Sequence, residues 1–146
     1  MKKLGFLFAI VSLLALVSCS SGKKSASSKP NASLENTYWR LSEMANKPVI
    51  TPQNAKEVHI KFMAQEKRLQ GFLGCNTLGG SYGLSGTNNI QIMAISTKMV
   101  CKDRMDIESF LVQALEKANT YKVDGEKLSL YADKILLAKF ESVYLQ

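Results

Sequence analysis

The chain has 146 residues, of which 46% are hydrophobic, and a formal net charge of +7. Five of its lysines precede residue 34, and the remaining 113 residues hold 14 Lys or Arg against 12 Asp or Glu, a net charge of only +2. These charges alternate in sign and form no basic block, which argues against a nucleic-acid partner. Residues 34–146 are enough for one domain with its own core.

The first 18 residues have the pattern of an export signal. Two lysines follow the initiating methionine, residues 4–17 are an almost unbroken apolar run, and Cys19 closes it. This run is shorter than the roughly 20 apolar residues that a membrane span requires. Residues 16–19 resemble the lipobox of bacterial lipoproteins, which implies cleavage before Cys19, a diacylglycerol on its thiol and N-acylation. The alternative is an ordinary signal peptide followed by an incidental cysteine.

Residues 19–33 are predicted to be a flexible tether between the lipid and the domain, because they contain almost no apolar side chains. Ser20 and Ser21 stand where an aspartate would resemble an inner-membrane retention signal, and the tether lacks the acidic run that resembles a surface-export signal. The resemblance therefore implies an outer-membrane lipoprotein whose domain faces the periplasm. The membrane is then one of its partners, bound through the N-terminal lipid.

The first half of the domain reads as short strands. A β-branched and aromatic segment at 37–41 predicts the first strand, and residues 58–63 and 69–73 alternate with a period of two around a polar turn, as in a hairpin. Six glycines lie between Gly71 and Gly86 and exclude a helix, since each costs a helix about 1 kcal/mol. Alternation returns at residues 90–92.

One amphipathic helix is predicted over residues 103–121, with Asp103 at the positive end of its dipole. Its polar face is predicted to include Glu108. The opposite stripe is apolar at three- and four-residue steps, which indicates packing on a sheet: Ile107, Phe110, Leu111, Ala114, Leu115 and Ala118.

Strands at 121–123, 128–131 and 135–140 complete the chain, with a hairpin turn at Asp124-Gly125. The prediction is an α+β domain with about seven short strands and one helix.

Several motifs together are similar to the META domain of the HslJ type. They are Gly74-Cys75-Asn76, then Gly80 and Tyr82, and a Ser96–Cys101 segment before an acidic helix. Trp39-Arg40-Leu41, Glu108 with Phe110-Leu111, and the Leu-Ser-Leu at 128–130 also fit. The resemblance covers residues 34–140. It implies a curved antiparallel sheet or cracked β-barrel packed around one helix, a bacterial envelope protein of a group that includes heat-inducible and antibiotic-tolerance proteins, and no enzymatic activity.

Cys75 and Cys101 are an even pair in an exported domain, which predicts an intramolecular disulfide. The alternative is two buried free thiols. A bridge would place Asn76 within reach of Thr97 and Lys98.

The predicted binding surface consists of Asn76, Thr97 and Lys98, with the aromatic side chains Trp39 and Tyr82. Each has a structural alternative. Asn76 has the side chain of a turn residue, the two aromatic residues suit a core, and the polar cluster would also satisfy buried backbone groups.

Residue patterns of the common enzyme and metal sites do not occur in the sequence. His59 is the only histidine, and neither a nucleophile elbow nor a phosphate loop is present. We therefore expect a monomeric, non-enzymatic module without cofactor or metal that binds an unknown envelope protein. The alternative is a carrier that holds a small apolar ligand, such as an acyl chain, in the barrel interior behind a mouth lined by Trp39, Phe72 and Tyr82.

Overall fold

The computed structural model describes residues 31–101 and 104–144. The predicted signal peptide, Cys19, the tether up to residue 30 and Asp103 lie outside these residues. The described chain forms nine strands and one helix, in the order β1 Tyr38–Met44, β2 Lys47–Pro48, β3 His59–Met63, β4 Arg68–Phe72, β5 Thr77–Ser85, β6 Asn89–Ser96, α1 Met105–Lys117, β7 Thr120–Asp124, β8 Lys127–Ala132 and β9 Ile135–Val143.

All nine strands belong to one antiparallel sheet with the order β2-β1-β3-β4-β5-β6-β7-β8-β9. β1 also pairs with β9, from Tyr38↔Val143 to Met44↔Ala138, so the sheet curves round into a ring. The predicted curved antiparallel sheet with one helix is confirmed, but the count of about seven strands is too low. The prediction lacks β2, which has only two residues, and β5, whose glycines hide the alternation.

Gly80 explains why β5 is rich in glycine. Its φ is +148°, and a Cβ at this position would collide with the backbone oxygen of Met93 on β6. The two backbones can approach this closely only because Gly80 lacks a side chain. The glycine that weakens the strand signal in the sequence therefore permits the strand pairing in the fold.

The ring has one weak seam, between β6 and β7. These strands share a single residue pair, Asn89↔Thr120, whereas β5 and β6 share eight. Helix α1 follows β6 in the chain, packs mainly against it, and also touches β8 and β9. The helix therefore bridges the two sides of the seam.

The helix is shorter than predicted. It begins at Met105 after Arg104, which has the left-handed φ of 70°, and it ends at Lys117. Ala118 is already extended, because Thr120 pairs with Tyr131 and the chain from there on belongs to the sheet. Among the described residues, no helix is both long and apolar enough to cross the lipid bilayer.

The core fills the space between the sheet and the helix. The predicted helix stripe supplies Leu111, Ala114, Leu115 and Ala118 to it, while Ile107 and Phe110 are only partly buried. The largest fully buried side chains come from both halves of the chain: Trp39, Phe62, Phe140, Leu41, Ile60, Leu69, Leu73, Leu78, Leu111, Leu115, Leu128 and Leu130.

Candidate functional site

The candidate site begins at the turn between β4 and β5. Leu73 N–H donates to the oxygen of Asn76 at 2.9 Å and closes the turn. Gly74 has a φ of +109°, which a residue with a side chain rarely adopts, and a Cβ there would also meet Arg104 at 3.4 Å. The glycine thus allows Cys75 and Asn76 to turn inward, where both are buried.

Asn76 uses its whole carboxamide inside the protein, and the residue is only 1% exposed. Its Oδ1 accepts hydrogen bonds from Thr97 Oγ1 at 2.6 Å and from Met99 N–H at 2.8 Å. Its Nδ2 donates to the Met99 carbonyl oxygen at 2.9 Å and to Glu108 Oε1 at 2.9 Å. The side chain therefore pairs with the Met99 backbone much as a neighbouring strand would, and it fixes the segment that follows β6.

Glu108 is the member of this network that sequence reasoning missed. We predicted it on the polar face of the helix, but it is 6% exposed, and its Oε2 accepts a hydrogen bond from the Asn76 backbone N–H at 3.0 Å. Its spacing contains a usable signal, since residue 108 lies three and seven positions before Leu111 and Leu115 and so on the same helical face. A glutamate at the end of a buried stripe indicates a buried polar partner.

A disulfide joins Cys75 to Cys101, with their Cα atoms 6.0 Å apart. Together with the bonds from Asn76 to Met99, it attaches the 97–101 segment to the β4–β5 turn at two points. Thr97 adds a third attachment, because its Oγ1 also accepts from Thr77 N–H at 3.2 Å.

The 97–101 segment still presents side chains to solvent. Lys98 is exposed, and so are Met99 at 60% and Val100 at 93%. Next to them is a groove of about 450 Å³ against helix α1, whose lining includes Ser96, Met99, Met105 and Val112. The structure thus brings Asn76, Thr97 and Lys98 together, but Asn76 is an internal anchor and the exposed residues are 97–100.

The family model described as META domain matches residues 32–143, which is most of the chain. The chain belongs to the META domain family. No match was found among curated proteins.

Solved structures similar to this META domain share its fold at low sequence identity. A protein from Burkholderia xenovorans, solved by NMR, is 23% identical with a TM-score of 0.62. The match covers 77% of this chain and 85% of that protein's chain. A DUF4847 family protein from Bacteroides vulgatus, a crystal structure, is 15% identical with a TM-score of 0.60 and covers 77% and 96%. A third protein, also solved by NMR, is 19% identical with a TM-score of 0.57 and covers 73% and 90%.

The two aromatic residues that we predicted on the binding surface of the META domain lie instead in its core. Trp39 is fully buried, and its indole N–H donates to the Leu34 carbonyl oxygen at 2.9 Å. Tyr82 is 5% exposed and packs edge-on against Phe62 with ring centroids 5.0 Å apart. The prediction placed both rings at a mouth, but the inward face of each strand carries them into the packed interior.

Tyr82 and Glu35 form a second polar contact away from the disulfide. The Tyr82 hydroxyl donates to the Glu35 carboxylate, which also forms an ion pair with Lys67 at 2.6 Å. Burial, followed by this hydrogen bond, raises the pKa of Tyr82. The hydrogen bonds from Lys67 and then from Tyr82 lower the pKa of Glu35. This contact attaches the start of the domain to β5.

The contacts of His59 serve the packing of the fold. Its ring stacks on Tyr38 with centroids 4.3 Å apart, and its Nδ1 donates to the Glu57 carbonyl oxygen at 3.1 Å. Partial burial lowers the pKa of His59, so the ring is neutral near pH 7. In the part of the chain that the structure describes, no cluster of three His, Cys, Asp or Glu side chains is arranged to hold a metal ion.

Proposed function

We propose that this META-domain protein is a lipid-anchored component of a bacterial envelope that acts by binding rather than by catalysis. Cys19 would be the acylated N-terminus in the outer membrane, the residues between Cys19 and Asn31 the tether, and the META domain the binding module on the periplasmic side. The lipobox-like sequence at residues 16–19 supports the anchor. A role under heat or antibiotic stress is the physiological setting that we propose for it.

The observation that carries the binding proposal is the architecture of the 97–101 segment. Asn76 fixes its backbone from one side and the disulfide fixes its end at Cys101, yet Met99 and Val100 extend into solvent. A segment whose backbone is already ordered loses little conformational entropy when it binds. Exposed apolar side chains on such a segment are typical of interaction surfaces.

The contacts of the site favour binding over chemistry. Thr97 Oγ1 donates to Asn76, and both oxygens of Glu108 accept from Asn76, so these groups hold the chain together. The carrier alternative has less support. Trp39, Phe62 and Phe140, which line the interior between sheet and helix, are fully buried and fill the space where an acyl chain would have to lie.

Site-specific photocrosslinking in growing bacteria tests the proposal. A photoreactive amino acid at Val100, in the full-length chain, is expected to give adducts with an envelope component. The same amino acid at Ile50, which is 82% exposed on the segment after β2, serves as the control and is expected to give none. Equal adduct yields at the two positions would contradict the binding surface.

The anchor needs its own measurement. Intact-mass analysis of the protein purified from membranes is expected to give a chain that begins at Cys19 and carries three acyl chains. A chain with an unmodified Cys19, or one cleaved elsewhere, would contradict the anchor without affecting the crosslinking result.

A further inference from the structure

One stretch of the chain, residues 93–100, exposes an unusual number of apolar side chains. Alternation along β6 directs Ile90 and Ile92 into the core and the two residues Met93 and Ile95 outward, where they are 64% and 70% exposed. Met99 and Val100 lie three and four residues beyond the end of β6. We call Met93, Ile95, Met99 and Val100 the apolar ridge. Among the described residues, eight large hydrophobic side chains are exposed, and the ridge holds four of them within eight positions.

Two cationic side chains, Arg68 and Lys98, lie beside the apolar ridge, and the buried carboxylate of Glu108 lines the groove next to Met99. The sequence from Lys67 to Lys102 contains no Asp or Glu. Lys98 is exposed between Ile95 and Met99, and Arg68 lies on the same outer face of the sheet, in register with Ser81 and, through it, with Met93.

The charge on this face is not neutralised by tight pairing. Arg68 has a partner, Glu66 at 3.3 Å, but both side chains are about 60% exposed, and such a surface pair contributes little free energy. Two exposed cations, Arg68 and Lys98, therefore accompany the apolar side chains of the ridge. An anionic lipid surface has the complementary order, with phosphates outside and acyl chains beneath.

The chain before the domain is long enough to bring this face to a membrane. Twelve positions separate Cys19 from Asn31, whose side chain accepts a hydrogen bond from Gly125 N–H at 2.7 Å and so belongs to the domain. Twelve residues reach roughly 40 Å when extended, which exceeds the radius of a domain of this size. A domain held by such a tether can therefore turn its β6 face toward the lipid.

We propose that the apolar ridge docks on an anionic lipid surface, with Met99 and Val100 at the boundary between head groups and acyl chains and Lys98 against lipid phosphates. This inference rests on the anchored arrangement of the proposed function and identifies what its surface binds. The attachments at Asn76 and at the disulfide hold the ridge in shape, so that insertion requires no refolding of the segment.

Fluorescence quenching by brominated lipid tests the docking directly. The full chain, purified from bacterial membranes, is prepared with Val100→Trp or with Ile50→Trp as the matched control, and each is incorporated into vesicles of phosphatidylglycerol with brominated or unbrominated acyl chains. The only native tryptophan, Trp39, is buried and contributes the same background to both.

The brominated lipid is expected to quench the Val100→Trp emission about two-fold or more, and the Ile50→Trp emission hardly at all, because only the first site reaches the acyl boundary. Phosphatidylcholine vesicles, high salt or an added Lys98→Glu substitution should each reduce the quenching, since the electrostatic part of the attraction is lost.

Equal quenching of the two variants, or none in either, would overturn the docking. Protein adducts from a crosslinker at Val100 together with no quenching would identify the ridge as a protein interface and would leave the proposed function standing. An unmodified Cys19 in the same preparation would refute the anchor, whatever the quenching result.

Discussion

Removal of the Asn76 side chain provides the sharpest test of the network around the disulfide. Asn76→Ala removes every side-chain hydrogen bond of this residue, and the four shortest are one to Thr97, two to Met99 and one to Glu108. A neutral hydrogen bond contributes about 1 kcal/mol net and one to a charged group about 1.5–3 kcal/mol. Of the three partners, Glu108 is buried, so its carboxylate cannot replace the lost donor with water as the exposed Thr97 and Met99 can. We expect the free energy of unfolding to fall by about 4 kcal/mol, a large part of the 5–15 kcal/mol that is typical of a domain.

Urea denaturation followed by circular dichroism measures this change, and the melting temperature should fall by roughly 15 °C. Asn119→Ala is the matched control, because Asn119 also makes two side-chain hydrogen bonds, both to Asp133, but lies exposed. Its effect should stay below about 1 kcal/mol, since water replaces the lost partner. An Asn76→Ala effect as small as the control's would refute the reasoning.

The isosteric Asn76→Asp variant adds a pH signature. An oxygen would replace Nδ2 at 2.9 Å from Glu108 Oε1, so that two buried carboxyl groups face each other and the pKa of the introduced carboxyl is raised above its unfolded value. Folded-state proton uptake then stabilises the variant at low pH, and this contribution is lost as the pH rises. The variant should therefore be closer to the wild type in stability at about pH 4.5 than at about pH 7.5. The same deficit at both pH values would contradict a direct contact between the two groups.

Three further predictions concern other parts of the fold. Cys75→Ser should lower the free energy of unfolding by about 2–5 kcal/mol in urea denaturation, and a reductant should bring the wild type to the same value. The hydrogen bond from Lys67 lowers the pKa of Glu35, so the ionised carboxylate stabilises the fold above its ordinary pKa of 4.5 and this contribution is lost as the pH falls. Glu35→Gln should therefore make the free energy of unfolding less dependent on pH in the acid range, and an unchanged pH dependence would contradict this role of Glu35. Gly80→Ala should cost roughly 2 kcal/mol or more and Gly79→Ala almost nothing, since only the first site has a strained φ and no room for a Cβ; equal melting temperatures would contradict this.

The sequence alone determined the features that depend on local spacing. The β3–β4 hairpin, the turn at residues 124–125 and the buried stripe of α1 all follow from side-chain periodicity and turn residues, because each involves contacts between positions close in the chain. The motifs that resemble a META domain identified the family correctly. The even pair of cysteines indicated which two segments lie together.

Only the tertiary structure determined the features in which contacts between distant parts of the chain override the local sequence patterns. Closure of the ring through β1 and β9 joins residues about a hundred positions apart, and β5 forms because glycine allows close approach to β6. Glu108 is buried because Asn76 supplies donors from a distant turn, and Trp39 and Tyr82 are in the core because the sheet curves around them. Periodicity reports which face of an element a side chain occupies, whereas what covers that face depends on segments remote in the chain.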